Sequence, residues 1–495
     1  MNANCRYRYA VFLAIALGLA ACATTSVRTP SSLANAVAKA DAALNHRPIS
    51  LPTYNAAVRE ICVGLATSDP RDCASQLKDL GVALVLPKIP LPLRGIEISV
   101  PPGTGPWEKA GIPVVLRYET KNAPLYPPEG LFVDACVLYQ RDSGEARVEI
   151  QTQADQIVLA GKRFQIAENP TGAGDQLKER AKRLAKSGFM SMIRPAAMQR
   201  KPQIYLLDPY DPTKTPLLMV HGLQSTPVAF ATLVNALRSD PEIRRDYQIW
   251  QFYYATGTPV LVNALALRES LERTLSILDP KDLDAATKHI IVLGHSMGGV
   301  IAHTLVSSSG DHVWKSVFRV PPDQLKGDSQ AIRELERVLY FRRNPRVALV
   351  IFMAAPHRGS PMSESLVGGL GNALSRLPPM EERGFSGLAS ANPGAMMPGA
   401  AKFYAGGRFS AVRTLSPKST ALIALSKLPI EVPFYSIIGQ QHPGTKERGS
   451  DGVVPYWSSH LEGAASERIV RGGHGVIDNA EAIDEVIQIL HRSAR

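Results

Sequence analysis

Short apolar runs alternate with longer helical stretches in the second half of the chain. Most positions within each run are apolar, without the polar alternation of a strand that faces water on one side. Strands covered on both faces show this pattern, and their alternation with helices predicts a parallel sheet with crossover connections. We therefore predict an α/β fold for residues 206–495. The predicted strands are 217–220, 247–252, 290–293, 347–353 and 434–438.

The first half of the chain has a different pattern, in which helical periodicity comes first and β-like runs follow. The turn-rich sequence Asp-Pro-Tyr-Asp-Pro at 208–212 then predicts a domain boundary near residue 205. Residues 23–205 are thus expected to form a mixed α+β accessory domain. The predicted elements are helices at 32–45, within 52–80 and at 175–186, and strands at 113–118, 131–139 and 147–152.

One interval breaks the α/β rhythm. The strand ending at residue 353 and the next one near 432 are about 80 residues apart, which is too long for a plain connection. Within it, residues 383–427 carry six basic and no acidic side chains among many glycines and prolines. We predict an insertion around 357–430 that acts as a lid or contacts a membrane. A solvated surface insertion is the alternative.

The N-terminal segment resembles a bacterial lipoprotein signal. Arg6 and Arg8 precede an apolar run at 11–19, and Leu-Ala-Ala-Cys closes the segment at Cys22. The resemblance implies a signal segment over residues 1–22, cleavage just before Cys22, and a lipid on its thiol. Ala23 at the next position favours the outer membrane in such lipoproteins. An uncleaved anchor is the alternative.

Composition and charge narrow the class of protein. A hydrophobic content of 45% with 20% charged residues is ordinary for a folded protein and excludes dominant disorder. The net charge of +11 suits an anionic partner. Because we find no nucleic-acid-binding motif, we expect a membrane surface and no nucleic acid. The lipid on Cys22 is the expected membrane attachment.

Three cysteines follow Cys22, namely Cys62, Cys73 and Cys136. An exported location permits a disulfide, and we predict the pair Cys62–Cys73. Three buried free thiols are the alternative. The spacing matches no metal site, and no metal ligand is predicted.

The segment Gly294-His295-Ser296-Met297-Gly298 has the G-x-S-x-G pattern of a nucleophile elbow. Four apolar residues precede it, as expected for a strand that turns sharply into a helix and presents one hydroxyl. The glycines permit the strained turn. Ser296 is therefore the predicted nucleophile, and His295 is expected to shape the turn.

A serine nucleophile needs a base and a group that orients the base. His474 lies between glycines after the short run at 468–470, which is the last predicted strand. Asp451 lies in the loop after the strand at 434–438, beside a glycine and before an apolar run. The order Ser296, Asp451, His474 is that of α/β-hydrolases. A turn cap at Asp451 and a surface histidine at 474 are the structural alternatives. Four competing groups fit less well: His357, His442, His460 and Asp478.

The developing oxyanion needs preorganised N–H donors. The Met297 N–H, directly after the nucleophile, is one predicted donor. The second is the Leu223 N–H, in the turn that follows the predicted strand at 217–220 and contains His221 and Gly222. A chance His-Gly turn is the alternative.

Residues 206–480 resemble lipases and esterases of the α/β-hydrolase superfamily. One matching segment, Ala-Pro-His-Arg-Gly-Ser at 355–360, is similar to bacterial lipases and GPI-inositol-deacylase-like hydrolases, in which it helps line the site. The other three segments are 221–223, 294–299 and 451–455. The resemblance implies a mostly parallel sheet with helices on both faces, and it does not extend to residues 23–205.

This resemblance implies a serine hydrolase that cleaves a lipid or hydrophobic ester through an acyl-enzyme, with no cofactor. With the lipoprotein signal, it places the activity at the bacterial envelope. An acyltransferase or thioesterase on the same fold is the nearest alternative. A non-catalytic envelope protein that binds a partner is a more distant one.

Overall fold

The computed structural model describes residues 30–67, 70–87, 89, 96–100, 108–142, 144–152, 156–179, 201–363, 387–388, 390–392, 394–404, 410–442 and 448–493. The predicted signal segment with Cys22 lies outside these residues. So does the stretch 364–386 of the predicted insertion.

Between residues 30 and 179, helices come first and strands follow, in the predicted order. Five strands form one sheet in the order β1-β5-β4-β3-β2, and β6 pairs with β7. The elements are α1 (Pro30–Asn45), α2 (Leu51–Thr67), α3 (Pro70–Asp79), β1 (Val82–Val85), β2 (Ile96–Ser99), β3 (Ile112–Tyr118), β4 (Leu131–Asp142), β5 (Glu145–Gln151), β6 (Gln156–Leu159), β7 (Lys162–Gln165) and α4 (172–179).

Helix α2 folds because its apolar residues recur every three or four positions and so share one face. Tyr54, Val58, Ile61 and Leu65 are all buried on that face. The Tyr54 hydroxyl donates to the Tyr139 carbonyl of β4 at 2.9 Å and accepts from the Tyr139 N–H at 3.0 Å. These bonds satisfy a buried phenol and tie the helix to the strand.

The predicted Cys62–Cys73 disulfide is wrong, because Cys62 is a free cysteine in the structure. It lies on the apolar face of α2, where its side chain has no exposed surface. Burial, the largest influence, raises the pKa of the Cys62 thiol well above its ordinary value. The thiol therefore packs as a small apolar group. Cys136 is likewise free and buried, and burial raises its pKa to about 12.

From residue 201 onward the chain is mixed α/β, as predicted. The elements are β8 (Gln203–Leu206), β9 (Thr215–Val220), α5 (Ala231–Ser239), α6 (Pro241–Asp246), β10 (Tyr247–Tyr253), α7 (Val260–Leu278), β11 (Ile290–His295), α8 (Met297–His303), α9 (His312–Val317), α10 (Ser329–Leu339), β12 (Val347–Met353), α11 (Pro398–Tyr404), α12 (Ala411–Thr414), α13 (Thr420–Leu425), β13 (Phe434–Gln440), α14 (Tyr456–Ser459), β14 (Ser466–Arg471) and α15 (Ala480–Ser493).

Seven of these strands form a sheet in the order β14-β13-β12-β11-β9-β10-β8. All neighbours are parallel except the edge strand β8, which is antiparallel to β10. The five strands predicted here coincide with β9 to β13 within two residues at each end. β8 was not predicted, because a four-residue edge strand is too short to show a period.

Helices cover both faces of this sheet. On one face, α5, α6 and α15 contribute Leu233, Ile243 and Val486 to an apolar cluster that contains Met219 and Ile291. On the other, α8 contacts β9, β11 and β12, and α7 contacts α8 and β8. Every residue of β11 is buried, and this central strand leads into the candidate site.

The chain divides into two compact units that do not follow a single cut in the sequence. One comprises the described residues within 1–87, 97–114 and 135–168; the other comprises those within 88–96, 115–134 and 169–495. The predicted boundary near residue 205 falls inside β8, within the second unit. The extent of independently folding domains stays a prediction.

Among the described residues, no helix combines the length and apolar character needed to cross a bilayer. The described part of the insertion contributes α11, α12 and α13, and it buries Ala421, Leu422 and Leu425. Whether the insertion acts as a lid stays a prediction.

Candidate active site

Ser296 lies at a sharp turn between β11 and α8. Its backbone angles are φ 55° and ψ −129°, in a region that L-residues rarely adopt. A Cβ added at Gly294 would lie 2.5 Å from Gly299 Cα, and one at Gly298 would lie 2.1 Å from Val220 O. Glycine is therefore required at both positions. The turn presents the Ser296 side chain at the carboxyl end of the central strands.

The structure brings the three predicted catalytic residues together. His474 Nε2 lies 2.8 Å from Ser296 Oγ, and His474 Nδ1 lies 2.7 Å from Asp451 Oδ2. Since a carboxylate only accepts, the hydrogen on Nδ1 donates to Asp451. In the neutral ring Nε2 then accepts from the serine hydroxyl. The neighbours therefore favour the tautomer with its hydrogen on Nδ1 and a free lone pair on Nε2, which is the tautomer that a general base requires.

Asp451 is held by the loop that follows it. Its Oδ1 accepts from the N–H groups of Val453 and Val454 at 2.8 and 2.6 Å, which leaves Oδ2 for His474. Gly452 supplies the φ of 91° that this tight turn needs. Asp451 is 2% exposed, so backbone dipoles replace water around its charge.

Two buried histidines flank the elbow as neutral groups. His295 Nε2 donates to the His474 carbonyl at 2.9 Å, and its ring centroid lies 5.2 Å from that of His474. Burial first, and the nearby His474 second, lower the pKa of His295 to about 4. Burial likewise lowers the pKa of His221 to about 4. His295 thus fixes the backbone of the candidate base, a contact that sequence reasoning missed.

The predicted oxyanion donors lie on the two segments that border Ser296. A Cβ added at Gly222 would lie 2.9 Å from Ser296 Cβ, so the turn before Leu223 lies directly against the serine. The Tyr254 hydroxyl donates to the His221 carbonyl, and the Tyr254 ring stacks on that of His221 with 4.3 Å between centroids. Met297 is the first residue of α8, where an N–H has no acceptor within the helix.

The segment 355–360, expected to help line the site, is bonded to the loop that carries Asp451 and to α14. Ser360 Oγ donates to the Val453 carbonyl at 2.5 Å. Arg358 Nη1 donates to the carbonyls of Trp457 and His460 at 2.5 and 2.6 Å. Ser458 Oγ donates to the Gly359 carbonyl at 2.6 Å. We call Arg358, Ser360 and Ser458 the acid-loop clamp. Sequence reasoning missed this function.

Among the described residues, none of the competing groups has a hydrogen bond to Ser296 Oγ, which is bonded to His474. His357 is buried edge-on against Phe352, with 4.6 Å between ring centroids. His460 pairs with Glu467 through Nδ1 and lies 3.1 Å from Glu462 Oε1 through Nε2. Burial opposes its charge, but the hydrogen bonds and charges of these carboxylates outweigh burial and raise the pKa of His460. His442 and Asp478 are exposed.

Similar solved structures are bacterial lipases and esterases. The mature lipase BlEst2 of Bacillus licheniformis is 14% identical, with 58% of this chain and 97% of that chain covered and a TM-score of 0.36. The Staphylococcus hyicus lipase is 13% identical, with 57% and 95% covered and a TM-score of 0.33. Lipase 1 from Pelosinus fermentans is 12% identical, with 57% and 99% covered and a TM-score of 0.34. No protein-family model matches the chain. No curated protein matches it either.

Proposed function

We propose that this protein is a serine hydrolase of the α/β-hydrolase fold that cleaves carboxylic esters. The carrying observation is the unbroken hydrogen-bond path from Ser296 Oγ through His474 to Asp451, at 2.8 and 2.7 Å, on a serine at a strained elbow. A structural serine needs neither the strain nor an imidazole whose second nitrogen is bound to a buried carboxylate. Both features serve to activate a nucleophile.

In this proposal each residue has a step. Ser296 Oγ attacks the ester carbonyl while His474 Nε2 takes the hydroxyl proton. The negative charge that forms on the carbonyl oxygen is stabilised by the N–H groups of Met297 and Leu223. His474 then gives its proton to the leaving alkoxide, and an acyl-serine remains. Water then attacks the acyl carbon while the same nitrogen takes its proton, and His474 returns that proton to Ser296 Oγ as the bond to the acyl group breaks and the acid leaves. Asp451 stabilises the imidazolium in both halves.

The proposal extends to location and substrate. The lipoprotein-like segment ending at Cys22 favours a lipid-anchored enzyme at the bacterial envelope, in the outer membrane. The basic composition and the lipase-like motifs favour an ester with a hydrophobic part, held at or near a membrane. The insertion around 357–430 would then act as a lid or a membrane contact.

Labelling with a fluorophosphonate, a reagent that phosphonylates activated serines, tests the nucleophile directly. We expect the wild type to be labelled on Ser296, Ser296→Ala to lose the label, and Ser276→Ala, a control on the exposed face of α7, to keep it. An unlabelled wild type would refute the proposal. With an ester substrate and an added alcohol, free acid should exceed transfer product. The opposite ratio would replace hydrolysis by acyl transfer.

A further inference from the structure

A buried tyrosine lies beside the turn that carries the predicted oxyanion donor Leu223. Tyr254 directly follows β10 and is 2% exposed. Phe252 of β10 pairs with Val220, the last residue of β9, so the two chains leave the sheet side by side. Tyr254 therefore lies next to the turn that begins at His221. It belongs to none of the sequence motifs, and the catalytic steps do not use it.

Tyr254 holds the first peptide of this turn. Its hydroxyl donates to the His221 carbonyl, which belongs to the same planar peptide as the Gly222 N–H. Burial raises the pKa of Tyr254 well above its ordinary value, so the hydroxyl keeps the hydrogen that it donates. A Cβ added at Gly298 would lie 2.5 Å from the His221 carbonyl oxygen. The peptide is thus fixed between Tyr254 and the helix that begins with the other predicted donor, Met297.

The next peptide contains the predicted oxyanion donor itself. The Gly222 carbonyl and the Leu223 N–H lie in one trans peptide plane and therefore point in opposite directions. His221 Nδ1 lies 3.1 Å from the Gly222 carbonyl oxygen, and since a carbonyl only accepts, Nδ1 donates. The imidazole of His221 therefore helps to set the direction of the Leu223 N–H.

Tyr254 also holds that imidazole. The rings of Tyr254 and His221 stack with 4.3 Å between centroids and 16° between planes. Phe252 stacks on Tyr254 with 5.2 Å and 17°. His221 is 1% exposed, and its Nε2 has no hydrogen-bond partner among the described residues, so the Nδ1 bond and the ring contact orient the imidazole. One tyrosine thus contacts both groups that orient the turn, the carbonyl and the ring of His221.

We propose that Tyr254 is a positioning residue for the oxyanion hole, whose hydroxyl and ring hold His221 so that the Leu223 N–H points to where the oxyanion forms. This inference rests on the proposed serine hydrolase function and adds a residue that acts through His221. Donors that are held in advance need no reorganisation when charge develops on the carbonyl oxygen. The Tyr254 hydroxyl therefore stabilises the transition state more than it contributes to binding of the ester in its ground state.

Two phenylalanine substitutions provide a matched pair of variants. Tyr254→Phe removes the hydroxyl and keeps the stacked ring. Tyr247→Phe removes the same atom from the first residue of β10, where a buried hydroxyl donates to the Leu490 carbonyl at 2.7 Å. Each variant loses one buried bond to a carbonyl, so both should lower the melting temperature to a similar extent. On a soluble p-nitrophenyl ester, we expect Tyr254→Phe to lower kcat about 10- to 100-fold with KM within about twofold, and Tyr247→Phe to keep wild-type kcat.

A transition-state analogue reports on the oxyanion hole itself. A trifluoromethyl ketone forms a hemiketal with Ser296, and the hemiketal oxygen bears the charge that the hole stabilises. Its inhibition constant should rise in Tyr254→Phe by about the factor by which kcat/KM falls, and it should not change in Tyr247→Phe. Leu223→Pro removes the donor N–H. Adding Tyr254→Phe to it should lower kcat by less than about twofold more, because the two changes act on one donor.

Three outcomes would overturn the inference. They are equal kcat in the two phenylalanine variants, an unchanged inhibition constant in Tyr254→Phe despite a lower kcat, and an effect of Tyr254→Phe that is as large in Leu223→Pro as in the wild type. If Leu223→Pro does not fold, the first two measurements decide. Fluorophosphonate labelling of wild-type Ser296 alongside any of these outcomes would leave the proposed hydrolase standing without this positioning function, whereas an unlabelled wild type would refute both.

Discussion

Replacing Ser360 by alanine tests whether the acid-loop clamp positions the candidate catalytic acid. The substitution removes the 2.5 Å hydrogen bond to the Val453 carbonyl. The N–H of the same residue, Val453, donates to Asp451 Oδ1 at 2.8 Å, and Asp451 Oδ2 holds His474 at 2.7 Å. Loss of the Ser360 hydroxyl is therefore transmitted to the imidazole through two residues, Val453 and Asp451.

Two magnitudes follow from this arrangement. A carbonyl that loses its donor in a largely buried loop lowers the free energy of unfolding by about 1–3 kcal/mol. A displacement of the acid and base by up to about 1 Å lowers kcat by roughly 10- to 100-fold. Because the substitution displaces the candidate acid and base, we expect its effect to fall on kcat and KM to change little. The measurements are kcat and KM on one soluble ester, together with thermal unfolding.

Ser363 is the matched control for Ser360. It is also buried, at 5% exposure, and its Oγ donates to the Ser360 carbonyl at 2.6 Å, but it has no described bond to the acid loop. Ser363→Ala should cost similar stability and leave kcat near the wild-type value, and Ser360→Thr, which keeps a hydroxyl, should recover activity. Equal kcat in Ser360→Ala and Ser363→Ala would refute the positioning function.

Four further outcomes are expected. Ser296→Ala and His474→Ala should each lower kcat by about 10⁴-fold or more, and Asp451→Asn by no more than these, in ester turnover; wild-type kcat in His474→Ala would contradict the assignment. His295→Phe removes the donor to the His474 carbonyl and should lower kcat about 10-fold with KM unchanged; unchanged kcat would mean that this bond does not orient the base. Gly298→Ala should lower the free energy of unfolding by about 4 kcal/mol or more in chemical denaturation, or prevent folding, because its Cβ would lie 2.1 Å from Val220 O. The control is Gly394→Ala, whose Cβ would meet nothing within 4 Å and which should leave that free energy unchanged. Burial lowers the pKa of three histidines, His221, His295 and His303, to about 4 and that of His357 well below its usual value. Because histidines in the unfolded chain titrate near ~6.5, the unfolded state binds more protons than the folded state below that pH. The melting temperature should therefore fall as the pH drops from ~6.5 to ~4, and it should fall less steeply in His357→Leu.

The sheet could be predicted because burial on both faces leaves a signal in each strand. The predicted bounds of β12 are those of the structure, 347–353. β11 extends two residues beyond its predicted end and includes Gly294 and His295. β8 could not be predicted, because its four residues lie at an edge and only two of them are buried. The Cys62–Cys73 pairing failed for a related reason. Spacing along the chain does not say that Cys62 faces the core of its own helix.

The candidate site likewise contains residues that the sequence could predict and residues that it could not. Ser296, Asp451 and His474 could be assigned because each stands in a local pattern of glycines that a strained elbow or tight turn requires. Arg358 and Ser360 carry no such pattern for their function. Their partners His460 and Val453 lie 102 and 93 residues further along the chain, and the acceptors are backbone carbonyls that any residue type provides. Such a contact requires a particular residue type only at the donor, because any residue can supply the accepting carbonyl. The sequence therefore does not show where the acceptor lies.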